Sequence, residues 1–137
     1  MERTLTVPGR YNRLEQICEF VAAVATEAGL DETAINRCQL AVDEACTNII
    51  EHGYGGEDKG AIDIACTPGQ GEVMIKIHDH APPFNPASVP QPNLDAMLDD
   101  VKIGGLGVYF MRQVMDVVKF SYENGGNTLT LIKRKEK

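Results

Sequence analysis

The chain has 137 residues, of which 43% are apolar, and a chain of this size can bury one hydrophobic core without disulfides or metals. Asp and Glu outnumber Lys and Arg by 20 to 13, and the resulting net charge of −7 disfavours binding to nucleic acid or to anionic membrane. No apolar run is long enough for a membrane span or a secretory signal, so we expect a cytoplasmic protein with a single domain over residues 1–137.

The thiol and imidazole side chains show no metal-site pattern. The cysteines are Cys18, Cys38, Cys46 and Cys66. None of them forms a CxxC pair and each lies in an apolar context, which indicates buried, reduced thiols. The histidines are His52, His78 and His80, and their spacing does not match a zinc site.

The first half of the chain predicts one strand and two helices. Residues 2–7 predict a short strand, which Pro8 and Gly9 end. From residue 11 to residue 29 apolar side chains recur at steps of three and four, which predicts a helix. Asp31 is a suitable N-cap for a second helix that continues to about His52.

The second half predicts two hairpins and a third helix. Alternating apolar residues predict strands over 62–66 and 73–77, and then over 118–122 and 128–133. Between the hairpins lies a polar, Pro-rich loop over 81–100, typical of a functional lid, and a helix from about Leu106 to Met115. This order predicts an α+β fold, a two-layer sandwich in which helices cover one face of a mostly antiparallel, mixed sheet.

Three groups of residues are candidates for chemistry, and the first lies on the second helix. Glu44, Asn48 and His52 have i, i+4, i+8 spacing and therefore share one helix face. A carboxylate can accept a proton, and an amide oxygen can coordinate a hard cation. A solvated polar stripe would have the same spacing, so the pattern alone does not decide between these interpretations.

The second candidate is Asp79, which follows the strand over 73–77. The two-residue period places Asp79 on the same face as the apolar residues of that strand. A buried carboxylate needs a partner, because burying it alone costs several kcal/mol. The partner is either a ligand donor such as an exocyclic amine or another group of the protein.

The third candidate is the glycine-rich segment over residues 104–107, GGLG, next to the third helix. Glycines let a backbone approach a ligand closely, and a helix N-terminus favours anions. The segment lacks the Lys-Ser/Thr of a P-loop and the parallel βαβ unit of a dinucleotide fold. By itself it is equally compatible with a simple turn.

Taken together, these motifs resemble a known superfamily over essentially the whole chain. The segments that carry the resemblance are AVDEACTNIIEHGY (41–54), DHAPPFNP (79–86), GGLGVYFMRQVMD (104–116) and NTLTLIKR (127–134). The first is similar to the N box, the second to the adenine box and the third to the glycine box of the GHKL, or Bergerat, ATPases. Within that superfamily, the chain resembles the anti-sigma-factor serine kinases of bacteria.

The resemblance implies ATP and Mg²⁺ as cofactors and a role for each matching residue. Asn48 would coordinate the Mg²⁺, Asp79 would accept a hydrogen bond from the adenine amino group, and Glu44 would be the general base. The remaining implied nucleotide contacts are Ala81, Phe84, Gly104, Gly105, Leu106, Gly107 and Thr128. Gly105 and Gly107 would supply backbone N–H groups to the phosphates, and Thr128 would support the adenine end.

The resemblance also implies partners: a sigma factor, a STAS-type anti-anti-sigma protein as the phosphorylated substrate, and a second copy in a homodimer. A nucleotide-responsive binding protein without catalysis is the main alternative, and an output module of another signalling route is a third. Ala81 replaces a glycine of the family pattern, which would weaken adenine binding if that turn requires positive φ. We further expect residues 86–102 to be mobile without nucleotide.

Overall fold

The computed structural model describes residues 1–84 and 103–135, without the side chains of residues 103–107. The strands are β1 (Arg3–Pro8), β2 (Ala61–Pro68), β3 (Glu72–His78), β4 (Val117–Glu123) and β5 (Gly126–Arg134). The helices are α1 (Leu14–Glu27), α2 (Glu32–Asn48) and α3 (Ile103–Val114). The predicted order of elements is confirmed. The predicted mobility over 86–102 lies outside the described residues.

The five strands form one sheet in the order β1-β2-β3-β5-β4. Every pairing among them is antiparallel, so the parallel pair that a mixed sheet requires is absent from the described strands. Inward-facing residues of β2, β3 and β5 alternate with partly exposed ones, and the inward row includes Ile64, Ile75 and Leu131. This row packs with the helices in one core, which confirms the two-layer α+β fold.

The helices form for the reasons that the sequence indicates. The side chain of Asp31 accepts a hydrogen bond from the backbone N–H of Ala34 at 2.9 Å, so Asp31 is the N-cap of α2. Gly29 follows α1 with φ at +89°, a conformation that glycine adopts at little cost. No helix within residues 1–84 and 103–135 has the length and apolar content needed to cross a membrane.

The second helix ends differently from the prediction. It stops at Asn48, and residues Ile49–Gly53 form a turn of π-helix in which the Tyr54 N–H donates to the Ile49 carbonyl at 2.7 Å. This wider turn brings Gly53 against Ala81, and a Cβ on Gly53 would lie 3.2 Å from the Ala81 Cβ. Regular i, i+4 spacing therefore does not extend to His52, as the prediction assumed.

The third helix begins earlier than predicted. It starts at Ile103, so residues 104–107 belong to the helix rather than preceding it. An α-helix leaves the N–H groups of its first four residues without an intrahelical acceptor. Gly104, Gly105 and Leu106 lie within that set, and Gly107 lies one position beyond it.

Candidate active site

A cavity of ≈ 310 Å³ lies between the helices and the end of the sheet. Asn48 and His52 line it from the α2 side, and Asp79 lines it from the end of β3. Phe84 and Asn127 belong to the same wall as Asp79, and later residues of α3 form the floor. The structure thus brings residues of the first two candidate groups around one space, together with Val108 and Met111 of the helix that contains the third.

Asn48 stands out because its side-chain oxygen is buried and unpaired. Among the buried side-chain nitrogen and oxygen atoms of the described residues, only Asn48 Oδ1 has no hydrogen-bond partner. An unpaired buried acceptor costs about 1–3 kcal/mol, so such an atom is retained where it serves another purpose. An amide oxygen is a suitable ligand for Mg²⁺, which uses few protein ligands together with phosphates and water. The arrangement therefore fits a magnesium ion at Asn48.

Asp79 lines the cavity from the sheet, whereas Asn48 lines it from α2, and the side chain of Asp79 is already held by the protein. The residue is only 6% exposed. Its Oδ1 accepts hydrogen bonds from the Ala81 N–H at 2.9 Å and from the Asn127 side-chain amide at 3.0 Å. Both bonds that the described residues make to this carboxylate end on Oδ1, which leaves Oδ2 as the acceptor for a donor in the cavity.

Asn127 is a site residue that the sequence analysis missed. Its Nδ2 donates to Asp79 Oδ1, to the Pro82 carbonyl at 2.9 Å and to the Ala81 carbonyl at 3.4 Å. Its Oδ1 accepts from the Phe84 N–H at 2.7 Å. The two-residue period of β5 would have placed Asn127 on the face of Leu129, but the predicted strand began at residue 128 and so left Asn127 out.

Thr128 lies outside the cavity. It pairs with His78 across β3 and β5, and a hydrogen bond of 2.8 Å joins its Oγ1 to His78 Nδ1. These two residues alternate with Ile77 and Leu129, which line the cavity, so Thr128 belongs to the opposite face of the sheet. The structure therefore places Asn127, and not the predicted Thr128, beside Asp79.

Ala81 does not require the conformation that would exclude a side chain. Within the described residues, positive φ at a non-glycine position occurs at Asp58 and Asn124, and Ala81 is not among them. Its methyl group is buried against Gly53. The expected penalty for replacing glycine at this position is therefore absent.

Phe84 lies at the rim of the cavity and is 41% exposed. Its ring contacts Phe120 of β4, with 5.2 Å between the ring centroids. Aromatic pairs at this separation are favourable, and an exposed ring edge beside a cavity can pack on a planar ligand. Phe84 is therefore positioned to contact a base that donates to Asp79.

Tyr54 links the end of the π-helical turn to the segment that carries Asp79. Its hydroxyl donates to the Ala61 carbonyl at 2.6 Å and accepts from the His80 N–H at 2.9 Å. Burial is the main cause that raises the pKa of the Tyr54 phenol, so the group stays protonated and keeps both bonds. Gly60 allows the ring to lie close, because a Cβ there would be 2.3 Å from it.

Glu44 lies one helical turn before Asn48 but is not among the described residues that line the cavity. Burial, followed by the charges of Asp43 and Glu51, raises the pKa of Glu44 above its ordinary value. A carboxylate with a raised pKa is a better proton acceptor. Glu44 thus flanks the Asn48 end of the cavity as a candidate base.

Comparison with known proteins identifies the family of this chain. Residues 7–133 match the histidine kinase-like ATPase domain family. A relative named serine-protein kinase RsbW, from Listeria monocytogenes, is 28% identical over 126 residues, which are 89% of this chain and 80% of the relative. A relative named anti-sigma F factor, from Clostridium beijerinckii, is 32% identical over 117 residues, which are 84% of this chain and 82% of the relative.

Solved structures show the same fold. The crystal structure of the RsbU and RsbW domains of a Mycobacterium tuberculosis protein superposes with a TM-score of 0.67 at 21% identity, covering 98% of this chain. The chain spans 32% of that longer protein. The catalytic domain of the histidine kinase ThkA superposes with a TM-score of 0.57 at 12% identity. With a family match over residues 7–133, this chain belongs to the histidine kinase-like ATPase domain family.

Proposed function

We propose that this protein is an anti-sigma factor of a bacterial partner-switching pathway that transfers the γ-phosphate of ATP to a STAS-type anti-anti-sigma protein. It is a serine/threonine protein kinase, as its relatives named serine-protein kinase indicate. The observation that carries the ATP assignment is the shared cavity, with a hydrogen-bonded Asp79 at one end and the unpaired Asn48 Oδ1 at the other. A base requires a fixed hydrogen-bond acceptor such as Asp79, whereas a triphosphate requires a ligand for its metal ion such as Asn48 Oδ1.

At the base end, Asp79 Oδ2 would accept a hydrogen bond from the adenine 6-amino group. A carboxylate acceptor repels the 6-oxo group of guanine, which has no donor there. The apolar wall of the cavity, including Ile77 and Leu129, suits the faces of a purine. This arrangement supports ATP over GTP as the phosphate donor.

At the phosphate end, Asn48 would hold Mg²⁺, which neutralises the charge of the ATP phosphates. The N–H groups at the start of α3, among them those of Gly104 and Gly105, have no acceptor within the helix. Both these groups and the helix dipole favour an anion at this position. Glu44 would accept the proton of a serine or threonine hydroxyl of the substrate as that oxygen attacks the γ-phosphate. Phosphoryl transfer depends mainly on such positioning and charge neutralisation.

The regulatory output follows from the charge added to the substrate. A phosphate adds about −1.5 to −2 charge at neutral pH, and this chain already carries a net charge of −7. Phosphorylation of the anti-anti-sigma protein would therefore weaken its complex with the kinase. The released kinase would then bind and inhibit a sigma factor, and we place this cycle in the cytoplasm, with a homodimer as the working unit.

A nucleotide-responsive binding protein without catalysis is the second candidate function. Such a protein requires the cavity and Asp79 but not a general base. The presence of Glu44 beside Asn48, with a raised pKa, favours the kinase.

The test uses the purified protein with γ-labelled ATP and the STAS-type protein of the same organism. We expect label on a serine or threonine of that protein in the presence of Mg²⁺, and stabilisation against heat by Mg-ATP but not by Mg-GTP. Stabilisation by Mg-ATP without label transfer would favour the binding protein. No stabilisation by either nucleotide would contradict the proposed site.

A further inference from the structure

The side chain of Asn127 connects two parts of the base end. Through Nδ2 it contacts the Asp79 carboxylate, and through Oδ1 it holds the Phe84 N–H. A third bond, from Nδ2 to the Pro82 carbonyl, lies between them. One side chain of β5 thus fixes both the carboxylate that would read the base and the segment over 81–84.

The orientation of this amide is determined by its partners. Nδ2 faces a carboxylate and two carbonyl groups, all of which are acceptors, and Oδ1 faces a backbone donor. Rotating the amide by half a turn would place Oδ1 against these acceptors and Nδ2 against an N–H. All of these contacts would then be repulsive, so a single orientation is stable.

This orientation has a consequence for Asp79. Because Asn127 and the Ala81 N–H both donate to Oδ1, these bonds fix the orientation of the carboxylate and occupy that oxygen. Oδ2, to which no described residue donates, can accept a hydrogen bond from an amino group, and as a carboxylate oxygen it has no hydrogen to donate to a carbonyl. Selection of a 6-amino purine over a 6-oxo purine therefore depends on Asn127 as well as on Asp79.

We propose that Asn127 is the positioning residue that sets base specificity, by fixing Asp79 as an acceptor and by holding residues 81–84 against β5. The inference rests on the proposed binding of ATP in this cavity. It concerns KM for the nucleotide rather than kcat, because the hydrogen bonds of the Asn127 side chain within the described residues are to Asp79 and to residues 81–84, and not to Asn48 or Glu44. Asn127 begins the segment over 127–134 but is not among the nucleotide contacts that the resemblance implies.

The test replaces the amide by a carboxyl of the same shape, Asn127→Asp. Two carboxyl groups about 3 Å apart cannot both ionise cheaply and share one proton at low pH. A protonated carboxyl at the base end can donate to a 6-oxo group. We expect the dissociation constant of Mg-ATP to rise about 10- to 10²-fold at alkaline pH. We also expect partial recovery at acidic pH, together with a smaller preference for Mg-ATP over Mg-GTP.

The matched control is Asn124→Asp, which makes the same charge change at an exposed position of the same turn. Asn124 has φ at +54°, a conformation that Asp also tolerates. Other titratable groups near Asp79 are Tyr54, His52, His78 and His80, with Asp63 beside His80. All of them are present in the variant, the control and the unchanged protein, so the ratio of the pH profiles isolates the introduced carboxyl.

A second variant, Asn127→Ala, keeps the test valid if the first one fails to fold. It removes the amide without adding charge, so we expect weaker Mg-ATP binding and a smaller preference over Mg-GTP, both without the added pH dependence. In both variants kcat at saturating ATP should stay within a few-fold of the unchanged protein. If the role of Asn127 were purely structural, kcat and thermal stability would fall together. The preference for Mg-ATP over Mg-GTP would then stay unchanged.

Two results would overturn the proposal. The first is an unchanged ATP-to-GTP preference in Asn127→Asp and Asn127→Ala while the unchanged protein binds Mg-ATP selectively. The second is an equal change in Asn124→Asp. Failure of the unchanged protein to bind Mg-ATP at all would instead contradict the proposed function, so the two failures are distinguishable.

Discussion

The two ends of the cavity are held in different ways. At the Asp79 end, hydrogen bonds of 2.7–3.0 Å join the carboxylate, the Asn127 amide and the backbone over residues 81–84. At the Asn48 end, a buried amide oxygen has no hydrogen-bond partner among the residues that the structure describes, and the nearby Glu44 has a raised pKa. The Asp79 end is organised before a ligand arrives. The Asn48 end contains an acceptor, Asn48 Oδ1, that the described residues leave without a hydrogen bond.

This contrast separates stability from activity. Residues that satisfy one another contribute to folding, so changing them should lower the free energy of unfolding together with nucleotide affinity. Residues that are left unsatisfied contribute to the reaction, so changing them should lower activity at little cost to folding. The predictions below test this separation, from the largest expected effect to the smallest.

Glu44→Gln should lower kcat for transfer to the protein substrate by about 10²–10⁴-fold, because the general base is removed. Nucleotide affinity should be unchanged. In the unchanged protein the rate should fall as the pH is lowered through the raised pKa of Glu44, because only the ionised form accepts a proton. Steady-state kinetics across pH measure both effects. Persistence of that acidic limb in the variant would assign it to another group.

Asn48→Ala should lower kcat by at least about 10²-fold, because the ligand for the ion that neutralises the phosphates is lost. Its free energy of unfolding should not fall, because Oδ1 has no partner to lose. Urea unfolding without nucleotide measures this. Asn36→Ala, at an exposed position of the same helix, is the control for the change in helix propensity. A loss of stability much larger than in the control would contradict the contrast.

Gly126→Ala should destabilise the base end. An added Cβ would lie 1.7 Å from the Asp79 carbonyl oxygen, so the backbone must shift, at a cost of about 1–3 kcal/mol. Mg-ATP affinity should fall as well, since Asp79 moves. Gly125→Ala is the matched control, because its Cβ meets nothing within 4 Å although its φ of +74° imposes some strain. Equal ATP affinity in the two variants would show that Asp79 had not moved.

Most of the fold could be predicted from the sequence, because periodic apolar residues and turn residues specify its elements locally. The positions of Asp79 and Asn48 at the cavity could be predicted for the same reason, because each residue has a regular place on a strand or a helix. Asn127 was missed because it adjoins a glycine turn, and only the register of β5 against β3 reveals that it meets Asp79. The start of α3 was misjudged because glycines usually disfavour a helix, and here they lie inside one.

Tyr54→Phe should have the smallest effect on nucleotide binding, because Tyr54 is not among the described residues that line the cavity. Removing the hydroxyl leaves the Ala61 carbonyl and the His80 N–H without this partner, which costs about 1–3 kcal/mol of stability if water does not replace it. Thermal or urea unfolding measures the change. Tyr122→Phe, at a residue that is 51% exposed, should change stability by no more than about 0.5 kcal/mol. Similar losses in the two variants would argue against the link through Tyr54.

The π-helical turn over Ile49–Gly53 makes the length of this segment as important as its composition. A π-turn accommodates one more residue than an α-turn, so deletion of a single residue there would let α2 continue regularly. The wide turn, in which the Tyr54 N–H donates to the Ile49 carbonyl, would then be replaced by a regular α-turn. Gly53, which faces Ala81 from this turn, and Tyr54, which follows it, would have to reach their partners from a shorter segment. Among related chains, a one-residue gap at this point should therefore mark a rebuilt cavity even where all the motif residues are retained.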